Sequence, residues 1–336
     1  MESTISHHRI LALLAVVAIS AALAACTGGT IDGIVVGPDD SGAPPPPERR
    51  FDQVTWLTSH NAFANKDDSP LIVPNQAQGI RAQLDAGVRA FMLDIHYWEP
   101  PALLCVITLG QNCPPPGVYL CHGECESLPN VAQALTPKPL SGALETVRGF
   151  LVEHPDEVVT VFLEDYVSAD QLRDVITQVG GLAELVFDPE APEWSVHARG
   201  WPTVAAMIAA DKRLVLFTDN AGNDNVAGVQ HDAQYTVQNY WSIGNGDAYE
   251  CVSRWSDIPL DQTETGWDRL FVMSHFRDIP FADNAAVDNT YDNLARRVDE
   301  YCAPAAGKAP HFVAVDFCET PDRTAADYVA HLNEAR

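Results

Sequence analysis

Four short runs of β-branched and apolar residues constrain this chain most, because each ends in side chains capable of chemistry. The runs are VTWLTSHNAFAN (Val54 to Asn65), GVRAFMLDIHYW (Gly87 to Trp98), VYLCHGECE (Val118 to Glu126) and EVVTVFLEDY (Glu157 to Tyr166). They bring His60 with Asn61, Asp94, His122 and Glu164 to the C-terminal ends of strands. Consecutive strands that carry polar residues at the same end describe a barrel whose chemistry sits at one rim.

The rest of the sequence keeps the alternation. Strands are predicted at Val54–Thr58, Val88–Ile95, Val118–Cys121, Val158–Leu163, Arg213–Thr218, Gln234–Trp241, Leu270–Ser274 and Phe312–Phe317. The spacing predicts helices over Asn75–Ala86, closed by Gly87, over Leu140–His154, stopped by Pro155, and over Ala169–Val179. Another opens at Pro202 and Thr203, and a long one spans Asn284–Tyr301. Apolar strands alternating with amphipathic helices predict an α/β fold: one (β/α)8 TIM barrel, whether regular or distorted. An open doubly wound sheet is the alternative, weakened because no Gly-rich phosphate loop follows a strand.

Ahead of that domain, Ile10 to Ala25 is apolar or small apart from Ser20 and follows a polar start containing Arg9. It falls short of the ~20 residues of a membrane span. It ends in Leu23-Ala24-Ala25-Cys26, which resembles the lipobox of bacterial lipoproteins. Residues 1–25 are expected to be an export signal and Cys26 the lipidated terminus; ordinary secretory cleavage is the plainer alternative. Residues 26–50, rich in Gly, Asp and Pro, read as a tether, and residues 51–336 as the barrel. The expected place is outside the cytoplasm, anchored to a membrane on its periplasmic or cell-surface side.

Lys plus Arg number 20 and Asp plus Glu 46, a net charge of −26. That argues against nucleic acid as a partner and against electrostatic adhesion to anionic lipid. Membrane attachment is left to the lipid on Cys26. Of the eight cysteines, seven remain beyond Cys26. In an exported chain most of them pair. Cys105, Cys113, Cys121 and Cys125 are expected to staple the Pro-rich loop around His122, and Cys251 to bridge to Cys302, with an odd cysteine left over. A zinc site built from the loop cysteines and His122 is the sharper alternative, disfavoured by irregular spacing and an oxidising compartment.

First and last strands are neighbours in a closed barrel, which puts Asp316 within reach of His60. A carboxylate bonded to one ring nitrogen fixes the tautomer and raises the basicity of the other. His60 is therefore the candidate general base, and His122, facing it across the mouth, the candidate general acid. Such a pair suits displacement at phosphorus. Asn61, Asp94 and Glu164 offer oxygen near the same rim and suit a hard cation such as Ca²⁺. Lys66, Arg254 and Arg277 are candidate contacts for a phosphate. His96 is read as structural, His154, His197, His231 and His311 as surface residues, and Asp165 as a cap of the next turn. A glycosidase pair of Asp94 and Glu164 is a further alternative, but it leaves both histidines without a role.

In combination, TSHNAFAN, GVRAFMLDIHYW, YLCHGECE and VFLEDY resemble successive motifs of the phosphatidylinositol-specific phospholipase C X-domain superfamily, above all its exported, X-domain-only branch. The likeness continues through WPTVAAMIAADKRLVLFTDN (Trp201 to Asn220) and HFVAVDFCET (His311 to Thr320). It implies a TIM barrel and phosphodiester cleavage by two histidines, with His60 as base, His122 as acid, and Asn61, Asp94 and Glu164 as calcium ligands. The acidic residue that the family carries two before that aspartate is Met92 here, and thioether sulfur is a poor ligand for Ca²⁺. The resemblance thus implies Ca²⁺ as cofactor at a weakened site. Metal-independent members carry arginine where Asp94 stands, so Asp94 points to the metal-using type. The implied substrate is a phosphodiester, with inositol phospholipid a candidate, cut by a neighbouring hydroxyl to give diacylglycerol and a cyclic phosphate. The alternative that Met92 raises is a catalytically weak or inactive binding lipoprotein on the same barrel.

Overall fold

The computed structural model describes residues 48–68, 73–99, 114–123, 125, 138–240, 243 and 249–336. The expected export signal, Cys26, the tether as far as Pro47, Cys105 and Cys113 lie outside the described residues. Among the described residues nine strands form one sheet: β1 Trp56–Ser59, β2 Ala90–Trp98, β3 Gly117–Leu120, β4 Val159–Asp165, β5 Leu214–Thr218, β6 Gln230–His231, β7 Thr236–Gln238, β8 Leu270–His275 and β9 Phe312–Val315. Eight of them pair in parallel in the order β6-β5-β4-β2-β1-β9-β8-β7. With β3 set aside this is chain order around a ring, the TIM-barrel arrangement expected. Among the described residues no ladder joins β6 to β7; the short helix Asp232–Tyr235 stands between them.

Side-chain parity sorts the staves into two faces. Trp56, Ala90, Phe162, Phe217, Val272 and Phe312 pack together in one layer. The intervening Leu57, Phe91, Leu163, Leu216, Met273 and Val313 pack against helix residues such as Leu84, Leu144 and Phe150. The Phe162 ring centroid lies 5.2 Å from that of Phe217 and 5.0 Å from that of Phe312. Phe51, where the barrel was expected to begin, is fully buried and plugs its lower end, 5.6 Å from Trp56 and 5.3 Å from Trp201. Each aromatic side chain so buried contributes about 1.5–3 kcal/mol. Continued along each strand, the inward parity reaches His60, Asp94, Glu164, Asp219 and Asp316. The alternation that builds the core thus lifts these residues to the C-terminal rim.

Four expectations are corrected. β3 is no stave: it pairs antiparallel with β2, Ile95 opposite Leu120 and Trp98 opposite Gly117. β2 runs nine residues, beyond the rim, and a parallel return would need a crossover helix that the Pro-rich sequence between them does not encode. The helix expected over Asn284–Tyr301 is broken into Ala282–Asp288, Tyr291–Arg296 and a π-helical turn Arg297–Cys302. It breaks where buried Asn289 turns its amide to the carbonyls of Asp316 and Thr320, at 2.8 and 3.0 Å. The helix expected from Asn75 begins only at Ile80, because Asn75 and Gln76 are spent on tertiary bonds. Of the strand expected over Gln234–Trp241, the described residues form only β7, and Trp241 lies outside them.

His311 is not a surface residue either; it is buried, accepting from the Phe271 N–H at 2.8 Å and bonding the Asp52 carbonyl at 2.8 Å. Burial pushes its pKa down to about 3. Unfolded, an imidazole titrates near 6.5. Between those values the unfolded chain binds the extra proton, so stability is full above about pH 6.5 and falls as pH is lowered. Chemical denaturation from pH 6 to pH 4 is expected to show His311→Gln with a pH slope smaller than wild type by roughly 1.4 kcal/mol per pH unit. Equal slopes would show that His311 is already charged in the fold.

The expected Cys251–Cys302 bridge is present. Cys121 pairs with Cys125, which takes both from any zinc site. Cys318 is free and buried.

Candidate active site

β1 and β9 end side by side, and both turn sharply after their polar residue. Asn61 has φ 43° and Phe317 φ 47°. Asparagine tolerates that left-handed backbone, whereas for phenylalanine it stores strain of the order of 1–3 kcal/mol, as functional sites do. Between these turns His60 Nδ1 bonds Asp316 Oδ1 at 2.9 Å. A carboxylate only accepts, so Nδ1 carries the hydrogen and Nε2 is left for proton transfer. The imidazole stacks on Phe276 with centroids 3.6 Å apart and planes 6° apart. Asn75 Nδ2 donates to the same Asp316 oxygen at 3.0 Å, and Gln76 Nε2 donates to the carbonyls of His60 and Val315 at 2.8 and 3.1 Å.

His122 reaches the mouth from the other direction. β3 runs down towards the rim, where the Cys121 N–H donates to the Asp94 carbonyl at 3.1 Å and the Cys121–Cys125 disulfide closes the turn. Asn61 Nδ2 donates to His122 Nδ1 at 2.8 Å, so the neutral ring keeps its hydrogen on Nε2. Desolvation, and then the charge of His60, lower the His122 pKa.

Both histidines line one cleft of ≈ 470 Å³ together with Asn61, Asp94, Glu164 and Arg254. Asp94 and Glu164 are register partners on β2 and β4. Burial, then the charges of Glu164 and Asp219, hold the Asp94 carboxyl well above the ordinary carboxylate range. Glu164 accepts from the Tyr166 hydroxyl at 2.6 Å. Asn61 is 2 % exposed, and its Oδ1 is buried without a hydrogen-bond partner. Crowded carboxylates beside an orphaned amide oxygen are a donor set that fits a hard divalent cation. Among the described residues, no three or more His, Cys, Asp or Glu side chains are arranged to hold a metal as they stand. Met92 lies on the inward face below Asp94 and lines the cleft with its thioether.

The candidate phosphate contacts divide. Arg254 lines the cleft, donating to Gln238 Oε1 at 3.0 Å and Asp219 Oδ2 at 3.3 Å. Arg277 also lines it and forms a two-point bond with Asp288 at 2.6 and 2.8 Å. Lys66 is exposed, is not among the cleft residues, and lies 5.3 Å over the Phe317 ring. His96 stacks on Tyr166 at 4.3 Å. Asp165 does cap the next turn, accepting from the Val167 N–H, and is also bonded by Thr218 and Asn223.

Sequence reasoning missed Asn75, Gln76 and Phe276, for which it held no signal. It also missed Asp219 and Asp232, both on the cleft. Asp219 had the same signal as Glu164, the apolar run LVLFT ending in an acid. Asp232 is buried, which pushes its carboxyl up to about 7.

A family model described as PI-PLC X matches residues 47–333. A PI-PLC X domain-containing protein of Arabidopsis thaliana is 28 % identical over 279 residues, 80 % of this chain and 58 % of that protein. PI-PLC X domain-containing protein 1 of Arthroderma benhamiae is 27 % identical over 191 residues, 55 % of this chain and 52 % of that one. The chain thus spans little more than half the length of either. The phosphatidylinositol-specific phospholipase C from Listeria monocytogenes superposes with a TM-score of 0.50 at 14 % identity, over 85 % of this chain and 95 % of that one; at that identity the likeness speaks for the fold. Two histidines on one barrel rim, and a family match running almost the full length of the described domain, lead to one assignment: the chain belongs to the PI-PLC X family.

Proposed function

We propose that the protein is a phosphodiesterase of the phospholipase C type. The carrying observation is the pair of imidazoles in one cleft, one backed by Asp316 and the other by Asn61. His60 Nε2 takes the proton from a hydroxyl next to the phosphodiester. That oxygen bonds to phosphorus, the bond from phosphorus to the leaving oxygen breaks, and His122, entering the step as the imidazolium, hands that oxygen the proton on Nε2 and is left neutral. An inositol phospholipid would so yield diacylglycerol and a cyclic phosphate, and water can open the ring with the two histidines in exchanged roles. Arg254, on the cleft wall, meets a substrate oxygen in this reading. Asn61, Asp94 and Glu164 would hold the cation, Ca²⁺ by its chemistry; when bound it neutralises charge on a phosphoryl oxygen.

Met92 favours a second reading, a lipoprotein that binds a phosphodiester without turnover. Two disulfides agree with an oxidising compartment, and we assign the chain to the exported proteins, with Cys26 as the lipid attachment.

The test is an assay on inositol phospholipid vesicles and on a soluble nitrophenyl phosphodiester of inositol, which keeps the neighbouring hydroxyl, with calcium or with chelator. At least one is cleaved, and chelator lowers the rate on the order of tenfold or more. Binding with neither substrate cut would overturn the enzymatic reading in favour of the second.

A further inference from the structure

The sheet register places more acid at the cleft than the cation site above uses. Asp94 on β2 is opposite Glu164 on β4. Leu163 is opposite Thr218, so the next pair across is Glu164 and Asp219. Thr218 is opposite His231 on β6, so Asp232 comes next. One carboxylate per strand thus forms a row along the wall, and all four line the cleft.

Neighbouring strands lie ~4.8 Å apart, about twice a Ca²⁺–oxygen bond of ~2.4 Å. A cation against Glu164 therefore has Asp94 one strand away on one side and Asp219 one strand away on the other. Asp232 is two strands off. Independently of the acids, Asn61, whose buried Oδ1 has no hydrogen-bond partner, lines the same cleft. Asp219 is held loosely enough to move. Its Oδ1 accepts from the Asp165 N–H at 2.9 Å, and its Oδ2 meets Arg254 at 3.3 Å. Met92, the inward residue below Asp94, supplies no charged oxygen.

The geometry points to Asp219 as the third carboxylate of the site. On entry of a divalent cation its Oδ2 leaves Arg254 and joins Asp94, Glu164 and the Asn61 amide oxygen. Asp219 thereby supplies the charge that Met92 does not. This rests on the cation reading above.

The test is calorimetric titration of Ca²⁺ into chelator-stripped full-length protein, with no turnover involved. Wild type binds and Asp94→Asn loses binding. Asp219→Asn, whose amide oxygen still accepts from the Asp165 N–H, binds roughly tenfold or more weakly, while Asp232→Asn stays within about threefold of wild type. Thermal melting in chelator checks that each variant folds. Should Asp219→Asn fail to fold, Arg254→Met decides: freeing Asp219 tightens binding several-fold, and unchanged affinity overturns the inference. Equal affinities for wild type and Asp219→Asn, or equal losses in the Asp219 and Asp232 variants, overturn it and leave the cation reading standing. No binding by wild type removes both.

Discussion

Replacing His60 by alanine lowers kcat/KM by ~10²–10⁴-fold on every phosphodiester the protein cleaves. The ring is fixed on three sides: Asp316 on Nδ1, Phe276 on its face, and Gln76 on its backbone carbonyl. With Nδ1 committed, Nε2 is the basic atom at the cleft. Asp316→Asn tests the same account one bond further away. An amide can turn its NH₂ towards Nδ1, which moves the ring hydrogen to Nε2 and removes the base, for a loss on the order of 10²-fold or more. His60 packs at the rim rather than in the core, so the alanine variant should keep the wild-type melting temperature to within a few degrees. An inactive variant that is also unfolded would say nothing of catalysis, so melting is measured beside activity.

Replacing His122 by alanine gives a loss that depends on the leaving group. A fatty glyceride leaves as an alkoxide and needs a proton in flight; nitrophenolate leaves stably without one. His122→Ala should therefore lose ~10²-fold or more on inositol phospholipid and far less on the nitrophenyl ester. Asn61 holds the His122 ring in place through Nδ1; in the imidazolium that nitrogen carries a hydrogen too, and the Asn61 amide turns its oxygen towards it. Comparable losses on both substrates would instead make His122 a positioning residue.

Much of this was legible in the residue order, because parity along a strand is a local property. The runs ending in His60, Asp94, Glu164 and Asp316 announced both the barrel and the rim, and Asp316 met His60 because a ring makes the first and last strands neighbours. His122 was placed at the rim for an incomplete reason. Its strand looked like a stave, but pairing direction depends on where the chain returns, and the antiparallel hairpin with β2 cannot be read from VYLC. Asn75 and Gln76 had the composition of a helix start; only the fold reveals that their amides tie β1 to β9. His311 stood before a strand like any loop residue, and its burial depends on Asp52 and Phe271, far away in sequence. The broken helix after Asn289 has the same cause, a tertiary demand on one amide overriding local propensity.

The most direct measurement sets wild type, His60→Ala and His122→Ala side by side on inositol phospholipid and on the nitrophenyl phosphodiester. Two imidazoles acting as base and acid on one phosphorus predict that loss of His60 silences both substrates, while loss of His122 silences the lipid and largely spares the nitrophenyl ester. Full activity of His60→Ala on either substrate would contradict the account.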